Sequence, residues 1–519
     1  PELNLASQDG QQINWSHTSR ASAGYFGRIN YDYKGIYLLE VNGRYDGSSR
    51  FPHNDKWAFF PSASIGYRFS EEAYFAPLKK VISNAKLRAS YGEIGNEAIG
   101  DYMFEALISQ RENTSSTGYI YWVDGNGANA NRLTQYNMPK LVSKSLTWER
   151  IRTTDIGLDL GFLNNELTVG FDWYQRENRD MLAPAQVLPN SVGATAPYDN
   201  AGTLRTRGWE LNLDWHHKFG EFNVYANFNL SDSKTKVTKW NNDTKLLSSY
   251  YSGKNYGDIW GFETDRYFEE SDFTGQNADG SWNYKPGIAG QSALERAPFH
   301  YGPGDIKFKD LDGSGAIDGG KGTADDHGDL KVIGNTTPRY QFGFNLSANW
   351  NGIGISAFFQ GVGKRNWYPH RESAFFWGQY DRPYSYMLKE HTGNNVWTEE
   401  NQNTDAYWPR YRGYLANGST KALGIQANDR YLQNVAYVRL KNLQIDYAFN
   451  KKFCDKLHLQ DLKIYLAGEN LLTWTPLAKH TKMYDPEGIS AGDADFRSTA
   501  NTDGDGYGYP ILSSYTIGI

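Results

Sequence analysis

Apolar residues recur at every second position over short stretches of this chain. In YQFGFNLSANWNGIGISAFFQG (residues 340–361), Tyr340, Phe342, Phe344, Leu346, Ala348 and Trp350 share one face, with Gln341, Gly343, Asn345, Ser347 and Asn349 on the other. Past Asn351-Gly352, a two-residue hairpin signal, the alternation resumes with Ile353, Ile355, Ala357 and Phe359. The same period marks Ile156/Leu158/Leu160/Phe162, Leu167/Val169/Phe171/Trp173, Trp209/Leu211/Leu213/Trp215 and Phe222/Val224/Ala226/Phe228/Leu230. About thirteen such stretches, of roughly 9 to 14 residues, predict strands of the length a tilted membrane crossing needs. A soluble sheet would carry Lys and Glu on its outer face. Here the polar face is mostly small and neutral, with Asp172, Asn212, Asp214, Asn227, Asn229 and Asn345 among its members.

The connections alternate in length. Short turns fall near 34–35, 163–165, 217–221 and 351–352, and intermediate ones near 70–84 and 450–461. Longer connections lie between them, near 47–56, 96–147, 177–206, 232–337, 361–433 and 472–510. In an up-and-down sheet this puts every short turn at one end and every long loop at the other, the layout of an outer-membrane β-barrel. The greasy face then meets lipid. Only a closed sheet satisfies backbone groups there, and the small polar residues line a wet lumen.

Composition agrees with strands and tight turns: aromatics reach 15%, with 37 Tyr, 16 Trp and 53 Gly among 519 residues. No run of about 18 apolar residues exists, which excludes a helical span. A net charge of -6 with intermixed signs offers no patch for nucleic acid. The one cysteine, Cys454, is expected to be an idle buried thiol. An odd strand count, and a first strand entering from the loop side, lead us to expect the C-terminal part (residues 1–519) of a larger barrel, the sequence opening at Pro1 without Met.

Several stretches carry a resemblance: GRINYDYKGIYLLEVNGRYDGSSRF (27–51), WAFFPSASIGYRFSEEAYF (57–75), LRASYGEIGN (87–96), WERIRTTDIGLDLGFLNNELTVGFDWYQRENRDML (148–182), GDIKFKDLDGSGAID (304–318), VWTEENQNTDAYWPR (396–410), YLQNVAYVRLKNLQIDYAF (431–449) and AGENLLTWT (467–475). Together they resemble the SusC-like (RagA-type) branch of the TonB-dependent outer-membrane transporters of Bacteroidetes. The resemblance implies an all-β transmembrane antiparallel barrel of about 22 strands, closed by a plug and driven through TonB. It also implies a SusD-like surface lipoprotein as lid and an oligosaccharide or oligopeptide as cargo. Plug, TonB box and the first strands have no counterpart here, and Ile519 replaces the aromatic terminal residue usual in such barrels.

Local chemistry is sparse. In DLDGSGAID, Asp310, Asp312, Ser314, Ala316 (through its carbonyl) and Asp318 sit at EF-hand-like spacing for Ca²⁺. Lys321 stands where the closing Glu belongs, so Asp325, Asp326 or water is expected to complete the shell; a metal-free Asp/Gly turn is the alternative. Loop rings could stack on sugars or grip peptide side chains. The expected ligand contacts are Tyr121, Trp122, Trp282, Arg365, Trp367, Tyr368, Trp377 and Asp381, with loop packing as the alternative use of the rings. No HExxH, GxSxG or phosphate-binding glycine loop occurs, and no enzyme is expected. The functional expectation is TonB-dependent import of oligomeric nutrients, with glycan favoured over peptide. A passive porin of about 14 strands and a soluble glycan-binding or glycan-cleaving β-protein are the alternatives.

Overall fold

The computed structural model describes residues 18–108, 110–111, 122–123, 131–132, 135–136, 139, 141–143, 145–184, 197–295, 298–369, 373–380, 387–413, 427–489 and 511–519. Among them thirteen strands form one sheet in chain order, each antiparallel to the next. We label them β1 (Ser22–Tyr33), β2 (Tyr37–Ser48), β3 (Trp57–Tyr67), β4 (Ile82–Asn96), β5 (Glu149–Phe162), β6 (Leu167–Pro184), β7 (Tyr198–Phe219), β8 (Phe222–Lys239), β9 (Arg339–Trp350), β10 (Ile353–Lys364), β11 (Tyr437–Ala448), β12 (Lys463–Trp474) and β13 (Ser514–Gly518). The expected strand number and the alternation of short and long connections both hold. β1 and β13 are the two edges of the sheet.

Turn chemistry sets the short-loop end. Asn351 and Gly352, with φ of 48° and 87°, make the tight β9–β10 hairpin. A Cβ on Gly352 would stand 2.5 Å from the Ala448 carbonyl oxygen, so the site needs glycine for space as well as for φ. At the same end Asn450 caps the short helix Lys451–Lys456 by accepting from the Phe453 N–H at 3.0 Å.

Three strands run well past the expected length. β6, β7 and β8 run 18, 22 and 18 residues, so the loops expected at 177–206 and 232–337 begin later and end differently. The added residues are mostly polar, with apolar ones such as Leu182, Leu204 and Val237 scattered among them, and lie beyond the apolar band, where pairing rather than hydrophobic period maintains the strands. A register shift near Asn178 and Met181, with Asp180 at φ 54°, breaks the period there.

The wall lacks a core. Its apolar face is open, with Ile65 59% and Leu466 55% exposed. The largest buried cluster takes no residue from the thirteen strands; it comes from the loops β8–β9, β10–β11 and β12–β13. A smaller cluster of Phe51, Ala58, Phe60, Ile99 and Trp148 lies at the upper ends of β2–β5.

Candidate functional site

Two regions can touch a solute: the polar face of the wall and the loop module above it. On the wall, cross-strand register brings the predicted polar residues together. Asn212 faces Asn229, Asp214 faces Asn227, and Asn227 faces Asn345. Asn212 Nδ2 donates to Asp214 at 2.7 Å, Asn227 Nδ2 to Asn212 at 3.0 Å, and Tyr225 OH to Asp214 at 2.7 Å. Further round, Arg88 donates to Asp159 at 2.8 Å and 2.9 Å and to Asp172 at 3.1 Å. Such a lattice keeps its polar groups satisfied among themselves and presents hydrogen-bonding capacity to water or a polar solute.

The loop module is a packed domain in miniature. Short antiparallel pairs staple it, Asp258–Phe262 with Leu330–Asn335 and Asn366–Trp367 with Gln433–Asn434 among them. At its centre Trp408 stacks between Tyr380 (5.0 Å) and Tyr431 (5.1 Å), with Trp377 edge-on to Tyr431 at 5.3 Å. The hydroxyls of buried Tyr267 and Tyr380 donate to the Ala406 and Pro409 carbonyls at 2.8 Å and 2.7 Å, which meets their polar demand. Buried Asp305 binds Arg410 at 3.0 Å and Arg412 at 2.9 Å. His391 packs edge-on to Trp408 at 4.4 Å, with Nε2 3.1 Å from the Phe376 carbonyl oxygen, and burial pushes its pKa down to about 4.

The predicted ligand residues fall mostly inside this module. Trp377, Tyr368 and Trp367 are buried, and Trp367 also packs on Tyr484 at 4.9 Å. Arg365 is buried too, donating to the Thr336 and Ile489 carbonyls at 3.1 Å and 2.7 Å. Trp282 is half-buried against Phe273, 5.1 Å away. In this conformation these side chains hold loops together. Trp122 belongs to a short strand, Trp122–Val123, paired with Asn131–Arg132. Tyr121 and Asp381 lie outside the described residues.

The Asp loop is ordered by its own carboxylates. Asp310 accepts from the Gly313 and Gly315 N–H groups at 2.7 Å and 2.9 Å, both glycines having positive φ. Asp312 accepts from the Ser314 N–H at 2.9 Å, the main reason its pKa lies below the usual range. Ser314 Oγ donates to the Ala316 carbonyl at 2.9 Å, and Asp318 accepts from the Gly320 N–H at 2.7 Å. The expected closers are engaged elsewhere: Asp325 pairs with Lys245 and Asp326 with Lys321, both at 2.9 Å. Asp329 comes to the loop instead. Fully buried, it accepts from the Leu311 and Asp318 N–H groups at 2.6 Å and 3.0 Å. Carboxylate oxygens of Asp310, Asp312 and Asp329 lie within 4.8 Å of one another. Such a cluster suits a hard cation that takes oxygen ligands. Nothing in the local motif signals Asp329, which arrives from just before the strand Leu330–Asn335.

A sheet greasy on one face, polar on the other and looped at one end defines a β-barrel protein of the bacterial outer membrane. The chain belongs to the family described as TonB dependent receptor-like, beta-barrel, which matches residues 2–471. It is 29% identical over 515 residues to TonB-dependent receptor P3 of Formosa agariphila, covering 95% of this chain and 45% of that protein. To TonB-dependent receptor SusC of Bacteroides thetaiotaomicron it is 30% identical over 200 residues, or 38% of this chain and 19% of SusC. Among solved structures, the RagAB peptide transporter superposes with a TM-score of 0.63 at 22% identity, covering 92% of this chain and 46% of that one. The SusC-like resemblance thus holds, and the chain spans less than half the length of these relatives.

Proposed function

We propose that this chain forms wall and outer loops of a SusC-like TonB-dependent importer of oligomeric nutrients, oligosaccharides or oligopeptides. One observation carries the reading: a sheet with no core on its apolar face bears, at its long-loop end only, a loop module with a dense core of its own. The unpaired edges of β1 and β13 would be untenable in hydrocarbon. Further strands of the same barrel, to about 22, would close them, with a plug inside, TonB as the energy link and a SusD-like lipoprotein over the loop module. Capture would occur between loops and lid, and passage along the Asn212–Asn227–Asn345 wall.

The preference for glycan rested on loop aromatics. With Trp367, Tyr368 and Trp377 used in packing, that basis is weaker, and RagAB is described as a peptide transporter, so both cargo classes stand as outcomes. The Asp310/Asp312/Asp329 cluster would hold Ca²⁺ or a like cation, stiffening the β8–β9 loop. The deciding experiment deletes the transporter gene, or separately TonB, and follows uptake of labelled oligomers, with mass spectrometry of ligand and lipoprotein retained on native purification. Import lost in both strains supports the reading. Uptake indifferent to TonB, with steady ion conductance of the purified protein, would instead mark a passive porin.

A further inference from the structure

Charges that alternate in sign along the chain are sorted by the sheet. On β7 the lipid-side face of Trp209, Leu211, Leu213 and Trp215 continues upward as Arg207 and Arg205. Register carries the same face across: Trp209 opposes Trp173, Arg207 opposes Gln175 and Lys234, and Arg205 opposes Glu177 and Lys236. On β5 and β6 it continues to Arg152, opposite Glu177, and to Arg150, opposite Arg179.

Cations outnumber carboxylates in this belt. Glu93 is shared by Arg150 at 3.2 Å and Arg152 at 2.7 Å, and Glu177 by Arg179 at 2.6 Å and Arg205 at 2.7 Å. Asp232 is engaged by Arg339. Arg207 rests on the neutral Gln175 side chain at 2.8 Å. Among the described residues Lys234 and Lys236 have no ion pair. Three directly opposed pairs, Arg207–Lys234, Arg205–Lys236 and Arg150–Arg179, set like charge against like charge, which destabilises a sheet unless an anion lies between. Glu177 and Glu93 serve Arg205, Arg179 and Arg150, so among the described residues Arg207–Lys234 is the pair with no carboxylate bound to either member.

Position narrows the anion. The belt begins immediately above Trp173 and Trp209, rings of the kind that sit at headgroup level. A groove of about 690 Å³ is lined by Trp173, Trp209 and Tyr340 and by Arg207, Lys234 and Lys236, with Asp232, the one carboxylate of the lining, engaged by Arg339. It is continuous with the apolar face below, where acyl chains would lie. On β1–β3 the same face stays uncharged to the top, ending in the stacked rings Tyr25, Trp57 and Tyr45. The belt is therefore confined to one sector of the wall.

We propose that this sector binds the phosphate groups of a phosphorylated glycolipid of the outer leaflet. Guanidinium and ammonium groups take phosphate oxygens through charge-assisted bonds, the groove rings take the sugar, and the hydrocarbon chains follow the wall. The proposal rests on outer-membrane placement alone and is independent of import. A docked acidic protein is disfavoured, because the groove opens onto the bilayer side.

The test is native mass spectrometry of the transporter extracted in mild detergent, titrated with the phosphorylated glycolipid, its dephosphorylated form or inorganic phosphate. Wild type should retain the phosphorylated lipid, and R207Q/K234Q/K236Q should weaken retention roughly a hundredfold, at the usual worth of surface cations. K234R/K236R should retain it. Equal binding of the dephosphorylated lipid, unchanged retention in the triple variant, displacement by millimolar inorganic phosphate, or capture of an acidic protein in place of lipid would each overturn the assignment. Folding is read from heat-modifiable migration on gels. Should the triple variant fail it, K234Q/K236Q, which removes no ion pair, carries the same comparison.

Discussion

Leu213 and Trp408 are both large apolar side chains in β-rich surroundings, yet one lies half-exposed on an open sheet face and the other is 1% exposed amid stacked rings. The wall puts its oil outside and hydrogen-bonds its polar residues across the inner face. The loop module does the reverse, as any water-soluble domain does. One chain therefore folds against two solvents, and the boundary between them runs through the upper ends of the strands, where on β4–β8 apolar alternation gives way to Arg, Lys and Glu on the same face.

Substitutions can separate the two regions. The largest effect is expected from Trp408→Ala, which empties the centre of the loop module and should cost about 3–5 kcal/mol there. Hydrogen exchange should show the module loosened while the strands of the wall stay protected. Leu213→Arg should do the opposite, costing the wall about 2–4 kcal/mol in urea unfolding from liposomes. Asn345→Lys, on the inner face of β9, should shift the same midpoint by no more than about 0.5 kcal/mol. Equal penalties at Leu213 and Asn345 would remove the distinction between faces.

Asp329→Asn leaves a buried N–H group opposed by an amide in place of a carboxylate, at about 1–3 kcal/mol to the loop. It should also abolish any rise in the module's melting temperature on adding Ca²⁺ over chelator, a rise the wild type is expected to show. A further effect is on pH. An unfolded His391 takes up its proton near its ordinary value of 6.5, whereas the buried ring resists until about 4. The unfolded state binds more protons in between, so module stability is full above about 6.5 and falls as pH drops through that window, by about 1 kcal/mol per unit. Tryptophan fluorescence followed against pH should show this loss, and His391→Gln should flatten it.

Much of the wall was legible because its signals are local. Period two, Asn351-Gly352 and the alternating connection lengths sufficed to place β9 and β10 and to assign faces to Asn212, Asn227 and Asn345. The upper reaches of β6–β8 were not legible, since polar residues such as Arg179 and Lys236 carry no apolar period and the irregularity at Asp180 shifts it. The core of the loop module was hidden for another reason. Trp377, Trp408 and Tyr431 meet across long stretches of chain, and an aromatic residue in a loop reads alike whether it awaits a ligand or a neighbour. Asp329 was missed on the same ground, lying outside the motif it completes. The basic belt escaped a reading of net charge because only strand register segregates Arg207, Lys234 and Lys236 from intervening residues.

Single-cysteine scanning of β8 bears most directly on all of this. With buried Cys454 replaced by Ser, residues 224 to 230 would each be spin-labelled in a lipid bilayer, with oxygen and a water-soluble nickel chelate as relaxing agents. Labels at Val224, Ala226, Phe228 and Leu230 should meet oxygen but little chelate, while those at Tyr225, Asn227 and Asn229 should meet the chelate. Chelate access at the first set, or no alternation between the two, would contradict a wall that turns its apolar side chains to hydrocarbon.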